Sequence, residues 1–478
     1  MNILLPTAKK VLPYSALRRK WHQINKPALL FGEFTGVLMR LKTFAGGVHP
    51  PDNKHRSAAL PIEDMAVPTQ VVIHMSQHIG APSKPVVSVG DEVKVGQLIA
   101  EATGFVSIPQ HASISGKVTK IERFTHPTGG ISQAIQITSD GNDAWLEFAD
   151  DPNYMDLSVE EMKQRVNNAG ICGMGGAGFP TFVKLSPPAD KPIDTVILNG
   201  VECEPYLTSD HRLMLEKGEC IVQGLKLIMK MVGARQGMIG IEANKPDAID
   251  LMSKLCAKET ALSVVPLQLR YPQGAEKQLI YAATKRKVPN AGGLPSAVGV
   301  VVQNVGTAFA IYEAIRYQKP LVERIITVTG SVVKTPKNLR ARIGTPFQEL
   351  VDACGGLNQE PGKYICGGPM MGFAIPSLEA SVGKGSSGLV ILDKKEASDI
   401  EERDCLRCAR CIDVCPMDLM PSLIVAHVKV GDLDNAVKMG LNDCIKCGSC
   451  AYVCPAHIRL VQWIDTGKLS WAEAQRKK

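Results

Sequence analysis

A chain of 478 residues with 45% hydrophobic content is long enough for about three domains with cores of their own, and this composition excludes a disordered polypeptide. Aromatic residues make up only 5%, too few to supply the stacking platforms of a single-strand binder. The net charge of +7 would suggest nucleic acid until it is located: Met1 to Lys42 holds eight Lys or Arg against one acid, Glu33, and the remainder is neutral. No nucleic-acid partner is expected.

The basic arm, residues 1–42, contains apolar segments such as PALLFGEFTGVLMRL. Two readings stay open: a solvated tail, or a basic surface that lies on anionic lipid or docks against a membrane-bound partner. Its opening run, MNILLPTAKK, is too short for a secretory signal. The longest uncharged stretch, Asn290 to Tyr312, is broken by Gly292, Gly293, Pro295, Gln303 and Asn304 and reads as loop, strand and helix, so no transmembrane helix is expected. Cysteines in C-x-x-C runs suit a reducing compartment better than a disulfide framework, which points to the cytoplasm.

From Val86 to Ile121 short apolar strands surround Gly90-Asp91, Gly96-Gln97 and Ser115-Gly116, an all-β pattern. Next, SVEEMKQRVNNAG places Met162, Val166 and Ala169 at helical spacing behind a Ser158 N-cap. It leads into GICGMGGAGFPTFVKL, where Gly173, Gly175 and Gly178 have the spacing G-x-G-x-x-G. A dinucleotide fingerprint must follow a strand and open a full helix. Here a helix precedes the glycines, and Pro180 with Pro187-Pro188 allows only a short helix after them. The loop still suits close approach of a phosphate or an isoalloxazine ring, with Lys184 as a nearby cation. DTVILNG then reads as a buried strand running toward Glu202. From Glu323 onward the pattern is strand, turn, strand and a helix capped by Thr345 and stopped by Gly355.

The strongest chemistry is C-terminal. CLRCARCIDVCP (Cys405, Cys408, Cys411, Cys415) and CIKCGSCAYVCP (Cys444, Cys447, Cys450, Cys454) each read C-x-x-C-x-x-C-x-x-x-C-P, the bacterial pattern for two [4Fe–4S] clusters. The fourth Cys of each run reaches the other cube, so the expected sets are Cys405, Cys408, Cys411 with Cys454, and Cys444, Cys447, Cys450 with Cys415. A zinc ribbon needs only paired C-x-x-C turns. Between the runs, apolar residues at helical spacing on both sides of Gly431-Asp432 favour a helical ferredoxin module. The other cysteines, Cys172, Cys203, Cys220, Cys256, Cys354 and Cys366, are expected to be buried structural thiols.

GMGGAGFPTFVK followed by LNGVECEPYLTSDHR resembles the NADH- and FMN-binding flavoprotein subunit of respiratory complex I. With FAGGVHPPDNK and the two cluster motifs, the closer likeness is to the RnfC family of Rnf electron-transport complexes, over about Phe44 to Pro455. The resemblance implies FMN contacts at Gly173, Gly175, Gly176, Lys184, Asn199, Glu202, Tyr271, Gly274, Glu276, Asn304 and Thr307, and NADH contacts at Phe179 and Glu204. The chain departs from the complex I pattern at Met174, Val201, Ala275 and Pro187. Residues 43–150 resemble the barrel-sandwich fold of biotinyl and lipoyl carriers, without the modifiable lysine between Glu101 and Ser115, and 321–385 resemble the β-grasp domain of the complex I relative.

The expected architecture is multidomain α/β and α+β. A basic arm (1–42) precedes a barrel-sandwich module (43–150), an α/β FMN/NADH domain (151–320), a β-grasp domain (321–385) and a helical two-cluster ferredoxin domain (386–478). The resemblance further implies NAD(H) as substrate, membrane subunits that couple the flow to Na⁺ or H⁺ translocation, a ferredoxin-like electron partner, and a peripheral position on the cytoplasmic face of a bacterial membrane. A hydride pair must be split into single electrons for the clusters, which a flavin does; no general acid or base is expected, since rate depends on positioning. Two rivals remain: a cluster-only relay, and a scaffold subunit of a related NADH:quinone oxidoreductase.

Overall fold

In the parallel sheet at the centre of the chain, Val196 and Leu198 pack toward one helical layer while Ile197 between them packs toward the other, the period-two alternation of a strand buried on both faces. The computed structural model describes residues 41–477 apart from 291, 398 and 399, so both readings of the basic arm concern residues outside the described ones, save for its last two. From Lys42 onward the residues cluster as one unit.

Strands β1 (Ile62–Asp64), β2 (Gln70–His74), β3 (Lys84–Pro85), β4 (Glu92–Val93), β5 (Leu98–Glu101), β6 (Gln110–His111), β7 (Gly116–Thr125) and β8 (Ile131–Ser139) come first. Two small sheets, β2-β8-β7-β4 and β3-β5-β6, face one another across Val71, Ile73, Ile99, Ile114, Val118, Ile135 and Ile137. Gly116 opens the long strand β7 and does not turn between short ones. β1 departs from the expected boundary at 43: it pairs in parallel with a strand near residue 340, with Ile62 opposite Asn338. Residues 42–48 run along the next domain, bridging Lys42 to Leu267 and Val48 to Tyr271.

The α/β domain begins with α1 (Val159–Asn168) and its Ser158–Glu161 capping box, then α2 (Thr181–Lys184), β9 (Thr195–Asn199), α3 (Ser209–Val232), β10 (Gln236–Glu242), α4 (Pro246–Cys256), β11 (Leu262–Leu267), α5 (Glu276–Thr284), β12 (Val300–Asn304) and α6 (Val305–Tyr317). The sheet order is β11-β10-β9-β12, all parallel. The chain leaves β9 toward β10 and β11 and returns on the other side as β12. A topological switch point therefore lies between the carboxyl ends of β9 and β12, where open α/β sheets hold their ligands. The pairing sets Asn199 beside Asn304 there.

The next sheet holds β13 (Glu323–Thr329), β14 (Lys337–Arg342), β15 (Pro361–Cys366), β16 (Phe373–Ile375) and β17 (Gly388–Asp393), in the order β1-β14-β13-β17-β15-β16. Helix α7 (Phe347–Ala353) buries Phe347, Leu350 and Val351 against it. Its N-cap is Pro346, not Thr345, whose hydroxyl donates to the Arg342 carbonyl at 2.8 Å. β17 lies beyond the expected boundary at 385, between β13 and β15. The C-terminal module is helical: α8 (Arg410–Asp413), α9 (Pro421–Lys429), α10 (Leu433–Lys438), α11 (Ser449–Tyr452) and α12 (Leu460–Arg476). Among the described residues no helix is long and apolar enough to cross a membrane.

Candidate electron-transfer site

The glycine loop closes over the switch point. Gly173 N–H donates to the Phe179 carbonyl at 2.9 Å, and Met174 N–H donates to Thr307 Oγ1, on the first turn of α6, at 3.0 Å. A Cβ on Gly175 would stand 2.8 Å from Asn304 Nδ2, whereas one on Gly176 would meet nothing within 4 Å. The loop thus presses on Asn304 with one residue and offers bare backbone to open space with the next, a floor suited to a flat ring. Asn199 Nδ2 donates to the Gly274 carbonyl at 2.8 Å, which ties the strand end to the 271–276 turn. Lys184 and Glu276 form an ion pair at 2.6 Å across the crevice. These residues fit an FMN: a backbone floor, amide side chains at the strand ends and a charge pair at the rim.

Other expected contacts are engaged in the scaffold. Glu202 accepts from Asp210 N–H at 2.7 Å and His211 N–H at 3.3 Å, at the start of α3. Both oxygens of Glu204 accept backbone N–H groups, from Met371 at 2.8 Å and Met370 at 3.1 Å. Loss of water raises the Glu204 carboxyl to about 7. Asp210, receiving Asn304 Nδ2 at 2.6 Å, is raised to about 6 by burial and then by the charge of Glu202.

The eight motif cysteines separate into two groups around two cavities. Cys415, Cys444, Cys447 and Cys450 line one of about 360 Å³ of empty space, with Pro416, Met417, Ile445 and Ile464. Cys405, Cys408, Cys411 and Cys454 line the other, of about 380 Å³. Each group takes its fourth thiol from the other motif. Four thiols gather around each cavity, drawn from runs spaced C-x-x-C-x-x-C-x-x-x-C-P, a donor set that suits a cube rather than the paired C-x-x-C turns of a zinc ribbon. The first group is the more buried, with Cys415, Cys447 and Cys450 inside, whereas Cys405 and Cys408 of the second are exposed.

The more buried group of thiols abuts the crevice. Tyr271, only 2% exposed, donates its hydroxyl to the Cys447 carbonyl at 2.8 Å. Gln278 of α5 donates to the Pro416 carbonyl at 3.1 Å, and Gly47 N–H donates to the Val414 carbonyl at 2.8 Å. Tyr271 therefore joins the flavin-side turn to the cluster module by its side chain.

Four family models match in succession: the RnfC barrel sandwich hybrid domain over residues 42–142, the Nuo51 FMN-binding domain over 166–313, the SLBB domain over 325–374 and a 4Fe-4S dicluster domain over 398–455. The RnfC protein of the proton-translocating ferredoxin:NAD(+) oxidoreductase complex of Clostridium ljungdahlii is 51% identical over 385 residues, 80% of this chain and 84% of that protein. The chain belongs to the RnfC family. Its counterpart in the Na(+)-translocating ferredoxin:NAD(+) oxidoreductase complex of Acetobacterium woodii is 47% identical, over 80% of this chain and 87% of its own. The counterpart in the ion-translocating oxidoreductase complex of Rhodobacter capsulatus is 42% identical over 91% and 84%. A solved NAD+-reducing [NiFe]-hydrogenase chain has a TM-score of 0.46 at 19% identity, covering 66% of this chain and 64% of that one. As an RnfC-family chain it carries an FMN-binding domain and a dicluster domain, as the motifs implied.

Sequence reasoning missed the buried cations under this RnfC-type crevice. Lys54 donates to the Glu204 and Leu207 carbonyls at 2.8 and 2.6 Å, and Lys245 donates to the Val201 carbonyl at 2.8 Å. Lys54 lies within the FAGGVHPPDNK segment, which was a signal; Lys245 is the N-cap of α4, ahead of Pro246, a position that carries no signal of burial. Cys203 and Cys220 are only partly buried, unlike Cys172, Cys256, Cys354 and Cys366.

Proposed function

We propose that this chain is the peripheral NADH-interacting subunit of a membrane-bound, ion-translocating ferredoxin:NAD oxidoreductase complex, passing electrons between NAD(H), FMN and two clusters. The observation that carries this reading is the hydrogen bond from Tyr271 to the Cys447 carbonyl, which sets the more buried cluster cavity against a flavin-type crevice. When bound, a flavin would take one hydride from the nicotinamide and pass its two electrons on singly, releasing the proton. The chain's own residues position the groups. Gly173, Gly175 and Gly176 form the floor; Asn199, Asn304 and Thr307 hold the strand ends and the loop together; Lys184 and Glu276 border the crevice. Tyr271 and Gly274 form the wall toward the clusters, and Glu202 fixes α3 behind them.

The two residues proposed to meet NADH divide in role. Phe179, half-exposed at the end of the glycine loop, meets the dinucleotide, while Glu204 acts through the Met370–Met371 turn it holds. Cys415, Cys444, Cys447 and Cys450 would hold the cluster nearer the crevice, and Cys405, Cys408, Cys411 and Cys454 the one nearer solvent, where it would supply single electrons to a ferredoxin-like carrier or to membrane subunits. Eight of the fourteen cysteines are assigned to clusters and the other six are free thiols, which suits a reducing compartment and supports a place on the cytoplasmic face, where NAD(H) is found. The basic arm supplies the contact with lipid or with a membrane-bound partner.

The test is to quantify FMN and iron together on anaerobically purified protein, then add NADH. About eight irons per chain, one flavin, and bleaching of both chromophores are expected. Iron without flavin, or a flavin that NADH does not bleach, would replace this reading with a cluster relay.

A further inference from the structure

Phe105 is 68% exposed at the tip of the loop between β5 and β6, and its ring meets Phe182 of α2 edge to face, with centroids 6.4 Å apart at 71°. The tip is fixed in place. Thr103 Oγ1 donates to the Pro82 carbonyl at 2.7 Å, Ser107 Oγ to the Ala81 carbonyl at 2.9 Å, and Ala81 N–H to the Val106 carbonyl at 3.0 Å. The segment under the tip is itself anchored to the glycine loop, since Ile79 N–H donates to the Gly178 carbonyl at 3.1 Å. The aromatic pair is therefore held at a set place relative to the loop. The loop's exposed crown is Gly175, Gly176 and Ala177; at one end Gly175 lies against Asn304, and at the other Gly178 is bonded to the segment under the tip.

A nicotinamide dinucleotide has two aromatic ends joined by a pyrophosphate. The nicotinamide end belongs at the flavin, over the switch point, and the adenine end needs a second platform across the loop. We propose that Phe105 and Phe182 are that platform, an adenine subsite built jointly by the barrel-sandwich and flavin domains. The inference rests on the reading that this chain uses NAD(H). An edge-to-face pair leaves one face of the exposed ring free for a base, and stacking of a base on an aromatic side chain is tolerant of which base it is. Lys184, two residues after Phe182 on the same helix and partly exposed in its pair with Glu276, adds a cation near the crown, complementary to the pyrophosphate between the two ends. The barrel-sandwich domain, which lacks a carrier's lysine at this tip, then has a role in substrate binding.

The test is calorimetric titration of the oxidised, FMN-loaded protein and its Phe105→Ala variant with NAD+, ADP-ribose and nicotinamide mononucleotide. Loss of the stacking partner is expected to weaken NAD+ and ADP-ribose about tenfold while leaving the mononucleotide unchanged, and Phe105→Tyr is expected to retain the affinity. Unchanged affinity for all three ligands would overturn the subsite and leave the exposed pair to a protein partner. Equal weakening of all three, mononucleotide included, would also overturn it, as a general disturbance of the loop. Absence of NAD+ binding by the unmodified protein would defeat the NAD(H) reading itself, and the subsite with it.

Discussion

Glu202 sits at φ +47° between the end of β9 and the start of α3, and its carboxylate reaches forward to take the first N–H groups of that helix. Thr208, the N-cap, makes no side-chain capping bond, so the cap comes from six residues upstream, and a negative charge there also complements the helix dipole. Glu202→Ala is expected to cost about 1–2 kcal/mol of stability in urea denaturation, and Glu202→Gln, which keeps an acceptor oxygen, less than half of that. Flavin content that falls in step with stability across the two variants would mark Glu202 as a positioning residue. An equal loss of flavin from both variants with stability unchanged would mean that its charge touches the flavin directly. The resemblance implied a flavin contact for Glu202, but its capping was hidden, because the carboxylate lies six residues ahead of the N-cap Thr208.

Among the elements, the barrel-sandwich strands bury two histidines in neutral form. Burial pulls His74, at the end of β2, down to about 3, with the neighbouring His126 adding to the effect; His111, in β6, is pulled down to about 3 by burial and then by Lys384. Such a group gives its full contribution above the unfolded value of about 6.5. As pH falls below that value the unfolded chain takes up protons the folded domain refuses, so stability declines toward pH 3. Each histidine is expected to cost about 1 kcal/mol per pH unit below 6.5. Hydrogen exchange of strands β2 and β6–β8 at pH 7 and 5.5 checks this: protection should fall with pH, and His111→Gln should flatten the slope; pH-independent protection would refute it. The elements legible in the sequence were those specified locally, such as the Ser158–Glu161 capping box, the short helix confined by Pro180 and Pro187, and the helices on either side of Gly431-Asp432. β1 was not legible, since a three-residue strand pairs with residues 338–340 and nothing near Ile62 signals that partner. β17 fell on the far side of the boundary expected at 385. Its place between β13 and β15 is a long-range choice made by packing.

At the scale of the whole molecule the arrangement gives the wire a direction in space. The spacing implies which cysteines share a cluster, and the thiols lining each of the two cavities come from both motifs, three from one and the fourth from the other. Spacing carried no information on which cluster lies nearer the flavin crevice, because that depends on Tyr271, Gln278 and Gly47 meeting residues hundreds of positions away or on the far side of a domain boundary. The contacts put the cavity lined by Cys415, Cys444, Cys447 and Cys450 at the crevice, while Cys405 and Cys408 of the other cavity are exposed to solvent. Single replacements separate the two positions. Cys408→Ala is expected to reduce iron from about eight to about four per chain, to leave flavin and the remaining cluster reducible by NADH, and to slow delivery to an external one-electron acceptor at least tenfold. Cys447→Ala is expected to lose a similar amount of iron, but with a different consequence: NADH bleaches the flavin while the surviving cluster stays oxidised on the same timescale. Electron paramagnetic resonance on samples frozen after rapid mixing with NADH distinguishes them. Fast reduction of the surviving cluster in Cys447→Ala, with none in Cys408→Ala, would reverse the order and require that electrons enter the chain from its exposed edge.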